Sequence, residues 1–144
     1  MTLADDLGIR LETVSMNDIG DFVDLFSEPQ SFTPTFAVTA PMTLTSTSIN
    51  IAYWYDIGDL NLIWLKFTAT IGGTSRFNIT ATMPFTPVAA SYHPLLCSVG
   101  QPNAGGYVMG HCYTDGTGVV ISRWDRSEFT ADTIDVNIAG IIRV

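Results

Sequence analysis

Between residues 48 and 71 apolar side chains recur at every second position. Ile49, Ile51, Tyr53 and Tyr55 share one parity, and Ile63, Leu65, Phe67, Ala69 and Ile71 share another, with Ile57-Gly58-Asp59 between them. Period-two alternation places successive side chains on opposite sides of a strand, and a short Gly/Asp break reverses the chain. The stretch therefore predicts a β-hairpin, Ser48–Ile57 with Leu60–Ile71. Its second strand is apolar on both faces at the start, because Leu62 and Trp64 stand opposite the Ile63 row before Lys66, Thr68 and Thr70 turn that side polar. A strand end of this kind needs cover on both sides. One cover is the chain's own core; the other is a second sheet, a covering segment or another subunit. A membrane span is excluded here, since Asp56, Asp59 and Lys66 interrupt the run.

The same reading extends along the chain. Thr35–Thr39 predicts a short strand after Pro34. Phe77, Ile79, Ala81 and Met83 alternate with Asn78, Thr80 and Thr82 until Pro84 stops the strand. Leu95–Val99 is brief, GQPNAGG (100–106) reads as a loop, and Tyr107–Thr114 and Val119–Trp124 flank a DGTG turn at 115–118. Ile134, Val136 and Ile138 lead through Gly140 to a closing IIRV. About eight to ten short strands without interleaved helices predict an all-β fold, an antiparallel β-sandwich of jelly-roll type spanning residues 32–144. Residues 1–31 differ. Ser15 can cap a short helix with Asp18 three residues on, and Ile19, Phe22, Val23 and Phe26 then fall on one helical face. The expectation is an N-terminal arm, with one or two helical turns ending before Pro29, whose apolar stripe must find a surface outside itself.

Charge sharpens this picture. Charged residues make up 14% of the chain, against about 25% in typical globular proteins. None occurs between Glu28 and Asp56 or between Arg76 and Asp115. So poor a charged surface suits a chain that spends its life against copies of itself or a larger assembly. The net charge is −8, of which residues 1–28 carry −6, from seven acidic side chains against Arg10. Six Lys and Arg in all leave too little positive charge for nucleic acid, whereas the acidic arm suits a basic docking surface. MTLADDLGIRLE has no apolar core of a signal peptide, so synthesis in the cytoplasm is expected, with Cys97 and Cys112 as buried thiols rather than a disulfide.

Candidate chemistry is sparse. The two histidines are His93 and His111. His111-Cys112 looks like a metal pair, but neighbours on a strand point to opposite faces, and His93 with Cys97 is no better placed. Asp125 and Glu128 could be imagined as a glycosidase carboxylate pair; with Arg123 and Arg126 adjacent they read as a charged loop with local ion pairs. DGTG lacks the lysine and helix of a phosphate loop. Neither catalysis nor a cofactor or metal is expected.

FTPTF near residue 32, the strand ending in YDIGDL, the long apolar strand after it, FNITATMPF and the closing VNIAGIIRV resemble the small jelly-roll modules of tailed bacteriophages. These occur as capsid decoration (cement) proteins and as head domains of tail fibres. The likeness covers about residues 32–144, and Arg143 departs from it where an aromatic residue is usual. It implies a homotrimer similar to tumour-necrosis-factor-type jelly rolls, with Trp54, Leu62 and Trp64 covered by neighbouring subunits. It further implies a virion structural protein on a phage head, partnered by the major capsid protein, with Ile19, Phe22, Val23 and Phe26 docking the arm; neither nucleic acid nor membrane is a partner. The alternative it implies is a receptor-binding head of a tail fibre or spike, or a carbohydrate-binding module. There Tyr107, Tyr113 and Trp124 would offer sugar-stacking aromatics on the GQPNAGG and DGTG loops.

Overall fold

A computed structural model describes residues 28–88, 95–101, 106–114 and 118–144. Every regular element among them is a strand: β1 (Gln30–Ser31), β2 (Phe36–Val38), β3 (Met42–Asp56), β4 (Leu60–Gly73), β5 (Ile79–Thr82), β6 (Leu96–Gln101), β7 (Gly106–Thr114), β8 (Gly118–Arg123) and β9 (Thr133–Arg143). They form one antiparallel sheet in the order β1-β3-β4-β9-β6-β7-β8-β5-β2. The arm residues Ile19, Phe22, Val23 and Phe26 lie outside the described residues.

The predicted hairpin is the spine of the sheet. Asp56 pairs with Asn61 across the turn, where the Ile57 N–H donates to the Leu60 carbonyl at 2.9 Å. Gly58 takes φ +75 there and donates its N–H to Asp56 Oδ1 at 3.0 Å. That backbone conformation is cheap for glycine and costly for most other residues. Along β4 the alternation holds throughout: Ile63, Leu65, Phe67, Ala69 and Ile71 are buried, and Leu62, Trp64 and Lys66 point out.

β3 departs from the uniform parity read in its sequence. It begins at Met42, six residues before the expected Ser48, and its pairing with β4 slips between Leu44 and Ser46 and again between Ile49 and Ile51. Each slip inserts one unpaired residue, and one extra residue moves all later side chains to the other face. Ile49 opposes Phe67 on the core side, whereas Ile51 opposes Lys66 on the outer side. Downstream, Ala52 and Trp54 therefore face inward and Tyr53 and Tyr55 outward.

The sheet curls so that its β2 end comes back over β3 and β4. Phe36 on β2, at one edge of the order, packs on Phe67 of β4 with ring centroids 4.4 Å apart. Trp54 and Phe85 close another part of the seam at 5.5 Å. The enclosed core joins Ile63, Leu65 and Phe67 to Val136, Ile138, Val99, Ile121 and Ile79, all fully buried or nearly so. The turning point is β7. Its first half, Gly106–Met109, pairs with β6, and its second half, Gly110–Thr114, pairs with β8. A Cβ at Gly110 would collide with Cys97 Sγ, so the bend is built around a residue without a side chain.

Buried Gln101 ties the β8–β9 connection to this corner. Its Oε1 accepts from the Thr130 N–H at 2.7 Å, the Thr130 hydroxyl at 3.0 Å and the Ala131 N–H at 3.3 Å. Gly100 and Gln101 thus end β6 and Gly106 opens β7, so the loop between them is shorter than the 100–106 expected from composition. Likewise Gln30 and Ser31, counted with the arm in the sequence reading, pair with Trp54 and Tyr53 as an edge strand.

Candidate functional site

The outward face of the sheet has two regions. The first lies over β3, β4, β9 and β6. Cross-strand register aligns Tyr53, Trp64, Ala139 and Leu96 in one row and Tyr55, Leu62 and Ile141 in the next. Leu96 is 75% exposed and Trp64 48% exposed although both belong to inner strands of the sheet. The Trp64 indole N–H donates to Asn137 Oδ1 at 3.1 Å, which holds the ring down across β9. Charge enters only at the margins, with Lys66 in the row beyond Trp64 and Arg143 opposite Leu60.

Of the three residues expected to share this surface, Leu62 and Trp64 do so and Trp54 does not. Trp54 opposes Ile63 on the inner face and packs on Phe85, because the bulge after Ile49 set its parity. Tyr53 takes the outward place beside Trp64. Leu96 and Ile141 were missed, since a two-residue apolar excess in a short strand has no periodicity of its own.

The second region lies where β7, β8 and the start of β5 meet. Arg123 to Arg126 form a turn closed by the Arg126 N–H donating to the Arg123 carbonyl at 3.0 Å. Arg123 pairs with Asp125 at 3.3 Å and donates to the Glu128 carbonyl at 3.1 Å. The Asp125 carboxylate also accepts from the Ser127 N–H at 3.0 Å and the Ser127 hydroxyl at 2.8 Å. The Ser127 backbone hydrogen bond, then its hydroxyl, with help from Arg123, lowers the Asp125 pKa. The expected ion pair is therefore Arg123–Asp125, and Glu128 contributes its carbonyl rather than its carboxylate. The Arg126 side chain, held at φ +56, has no ion pair or hydrogen bond among the described residues.

Beside this turn are two hollows that share His111 as a wall. One, of about 730 Å³, is lined by Phe77, Asn78, His111, Cys112, Tyr113, Ser122 and Arg126. The other, of about 380 Å³, runs between Met109 and Trp124. The Trp124 N–H donates to the Met109 carbonyl at 3.2 Å, and both side chains are more than 60% exposed, at 64% and 68%. His111 and Tyr113 contact each other at 5.3 Å between ring centroids. Tyr113, on β7 opposite Val120, lines the larger hollow, and Trp124, in the turn at the other end of the β7–β8 pair, lines the smaller; Tyr107 follows Gly106 in β7, and its side chain lies outside the described residues.

His111 and Cys112 do face opposite ways. His111 is half-buried, whereas Cys112 is buried with its side chain beside Cys97, the two cysteines being free thiols. Burial first, and then the hydrogen-bonded Cys97 thiol, push Cys112 well above the ordinary thiol range, so it packs as a neutral atom. Among the described residues no three His, Cys, Asp or Glu side chains converge as metal ligands would, and no helix is long and apolar enough to cross a membrane. No protein-family model, no curated protein and no solved structure matches this chain.

Proposed function

We propose that this chain is a virion structural protein, a capsid decoration protein that assembles as a homotrimer on a phage head. The reading rests on one observation: the outward rows of Tyr53, Leu62, Trp64, Ile141 and Leu96 form an apolar area in the middle of a sheet rather than at its edge. An edge can be satisfied by one more strand, but a face needs another folded surface. A near-absence of charge around the patch favours a like surface, and copies related by threefold symmetry supply one. Each contact would bury about 800 Å² per partner, the scale of a specific interface.

We infer further that the curled sheet is a jelly-roll sandwich. β1-β3-β4-β9-β6 makes one layer, the second half of β7 with β8-β5-β2 makes the other, and Phe36 on Phe67 packs one against the other. The acidic residues 1–28 would bind the shell. Sedimentation velocity at micromolar concentration tests the assembly, with a trimer expected; a monomer overturns the proposal. Co-sedimentation with undecorated capsids tests the location. Binding that weakens with salt is expected, since acidic and basic surfaces are screened over about 8 Å at physiological ionic strength. Label found at the tail tip of intact virions would reassign the protein to a fibre head.

A further inference from the structure

We propose that the paired hollows around His111 form a binding site for a carboxylate-bearing saccharide, the Trp124 ring stacking on the sugar and Arg126 pairing with its carboxylate. The inference does not rest on the assembly proposed above.

Three observations converge on it. The first is the turn at 123–126, in which the charges of Arg123 and Asp125 are consumed within the turn itself. That bracing leaves Trp124 and Arg126 as the two side chains presented outward, and places Arg126 in a backbone conformation unusual for a non-glycine residue. The turn is braced by its own hydrogen bonds and ion pair, which is how a site lowers the entropy of ordering it on binding.

The second is the company these two side chains keep. A hollow of about 730 Å³ adjoins one of about 380 Å³, and ligand sites commonly occupy about 300–1,000 Å³. Their linings mix aromatic faces with polar side chains: Trp124, Tyr113 and Phe77 beside Asn78 and His111, while the Ser122 hydroxyl below them donates to the His111 carbonyl at 3.3 Å. A pyranose has an apolar C–H face and a rim of hydroxyls, and this lining offers a surface for each. A peptide anchored by an apolar side chain would want a deep dry hole instead, and the hollow beside Asn78 and Arg126 is open and mixed polar and apolar in its lining.

The third is the charge. On a chain of net charge −8, Arg126 is a cation at the rim of a cavity with no ion pair among the described residues. Arg76 and Arg123 have carboxylate partners, whereas no described residue pairs with the Arg126 guanidinium, whose donors suit a carboxylate in a two-pronged pair.

The experiment is calorimetric titration of the full chain with N-acetylneuraminic acid, glucuronic acid and glucose. At least one acidic sugar should bind in the range of about 1 mM, at least about tenfold more tightly than glucose. Trp124→Ala should abolish binding of all three, and Arg126→Gln should reduce the acidic sugar to the level of glucose. Both side chains are exposed, so the variants should keep the wild-type circular dichroism. Absence of acidic-sugar binding up to about 50 mM, equal affinity for glucose, or unchanged binding in folded Trp124→Ala would each overturn the proposal.

Discussion

The outward face over β3, β4, β9 and β6 is flat, apolar and made of alternate residues of long paired strands. The outward face over β7, β8 and β5 is hollowed, mixed in character and braced by a turn. Both are built on the same curled sheet, and both expose tryptophan. The difference lies in what surrounds the tryptophan. Trp64 sits among Tyr53, Leu62 and Ala139 and spends its indole N–H on Asn137, so it offers area and little direction. Trp124 stands beside one hollow, and Arg126, with no ion pair among the described residues, borders the adjoining one, so it offers one ring and a bearing. Exposed aromatics of the first kind suit a protein surface; those of the second suit a small molecule.

Substitutions can separate the two regions. The largest effect should come from beneath the flat one. Phe67→Ala removes a fully buried ring that also holds Phe36, and should lower the unfolding free energy by about 3–5 kcal/mol in urea denaturation. Trp64→Ala, one turn of the pleat away on the outer face, should leave the stability of the dissociated chain nearly unchanged. It should weaken self-association by about 2–4 kcal/mol, as loss of a central interface aromatic does, measured by sedimentation equilibrium. A stable Phe67→Ala protein, or a Trp64→Ala protein that assembles normally, would erase the distinction between the two sides of β4.

Next in size is the corner joining the regions. Gly110→Ala should cost about 1–3 kcal/mol by overpacking against Cys97 Sγ. Cys97→Ala in the same chain should restore part of it, because the colliding sulfur is gone. If the double variant is no more stable than Gly110→Ala, backbone geometry rather than the thiol requires glycine there. The smallest effect concerns the braced turn. The Asp125 pKa is depressed in the folded chain, so its contribution is complete above the ordinary aspartate range, near about 3.9, and disappears as pH falls through the lower folded value. Hydrogen exchange of the Ser127 amide should therefore accelerate relative to amides of β4 as the solution is acidified. A parallel response in both places would mean that the turn is not held by this carboxylate.

Much of the sheet was legible from alternation alone. β4 and most of the closing strand follow directly from parity, because each lies between two paired neighbours where parity decides burial, whereas the turn at Gly58 and the β7–β8 pair follow from their turn residues. β3 was not legible beyond its hairpin end. Its first bulge follows Leu44 in a run of Thr and Ser without apolar alternation, and its second falls between Ile49 and Ile51, where unbroken apolar alternation hides the change of face, so parity puts Trp54 on the wrong side. The closure of the sheet was equally hidden, since the Phe36–Phe67 contact joins residues whose spacing in sequence carries no period. For the grooved region the aromatic residues were visible beforehand. Their partners Asn78, His111 and Arg126 were not, because they gather only when β5 is brought beside β8.

The place of β9 in the sheet has a consequence for how the molecule is made. β9 is the last strand in the sequence, yet it lies between β4 and β6 and joins one flank of the sheet to the other. Until it emerges from the ribosome, β4 has one unpaired edge and β6 another, both carrying apolar rows. Strands that wait for a distant partner fold slowly and are exposed to wrong pairing meanwhile. Nascent chains stalled before Thr133 should therefore recruit holding chaperones, and release of the remaining strand should set the pace at which the sheet closes.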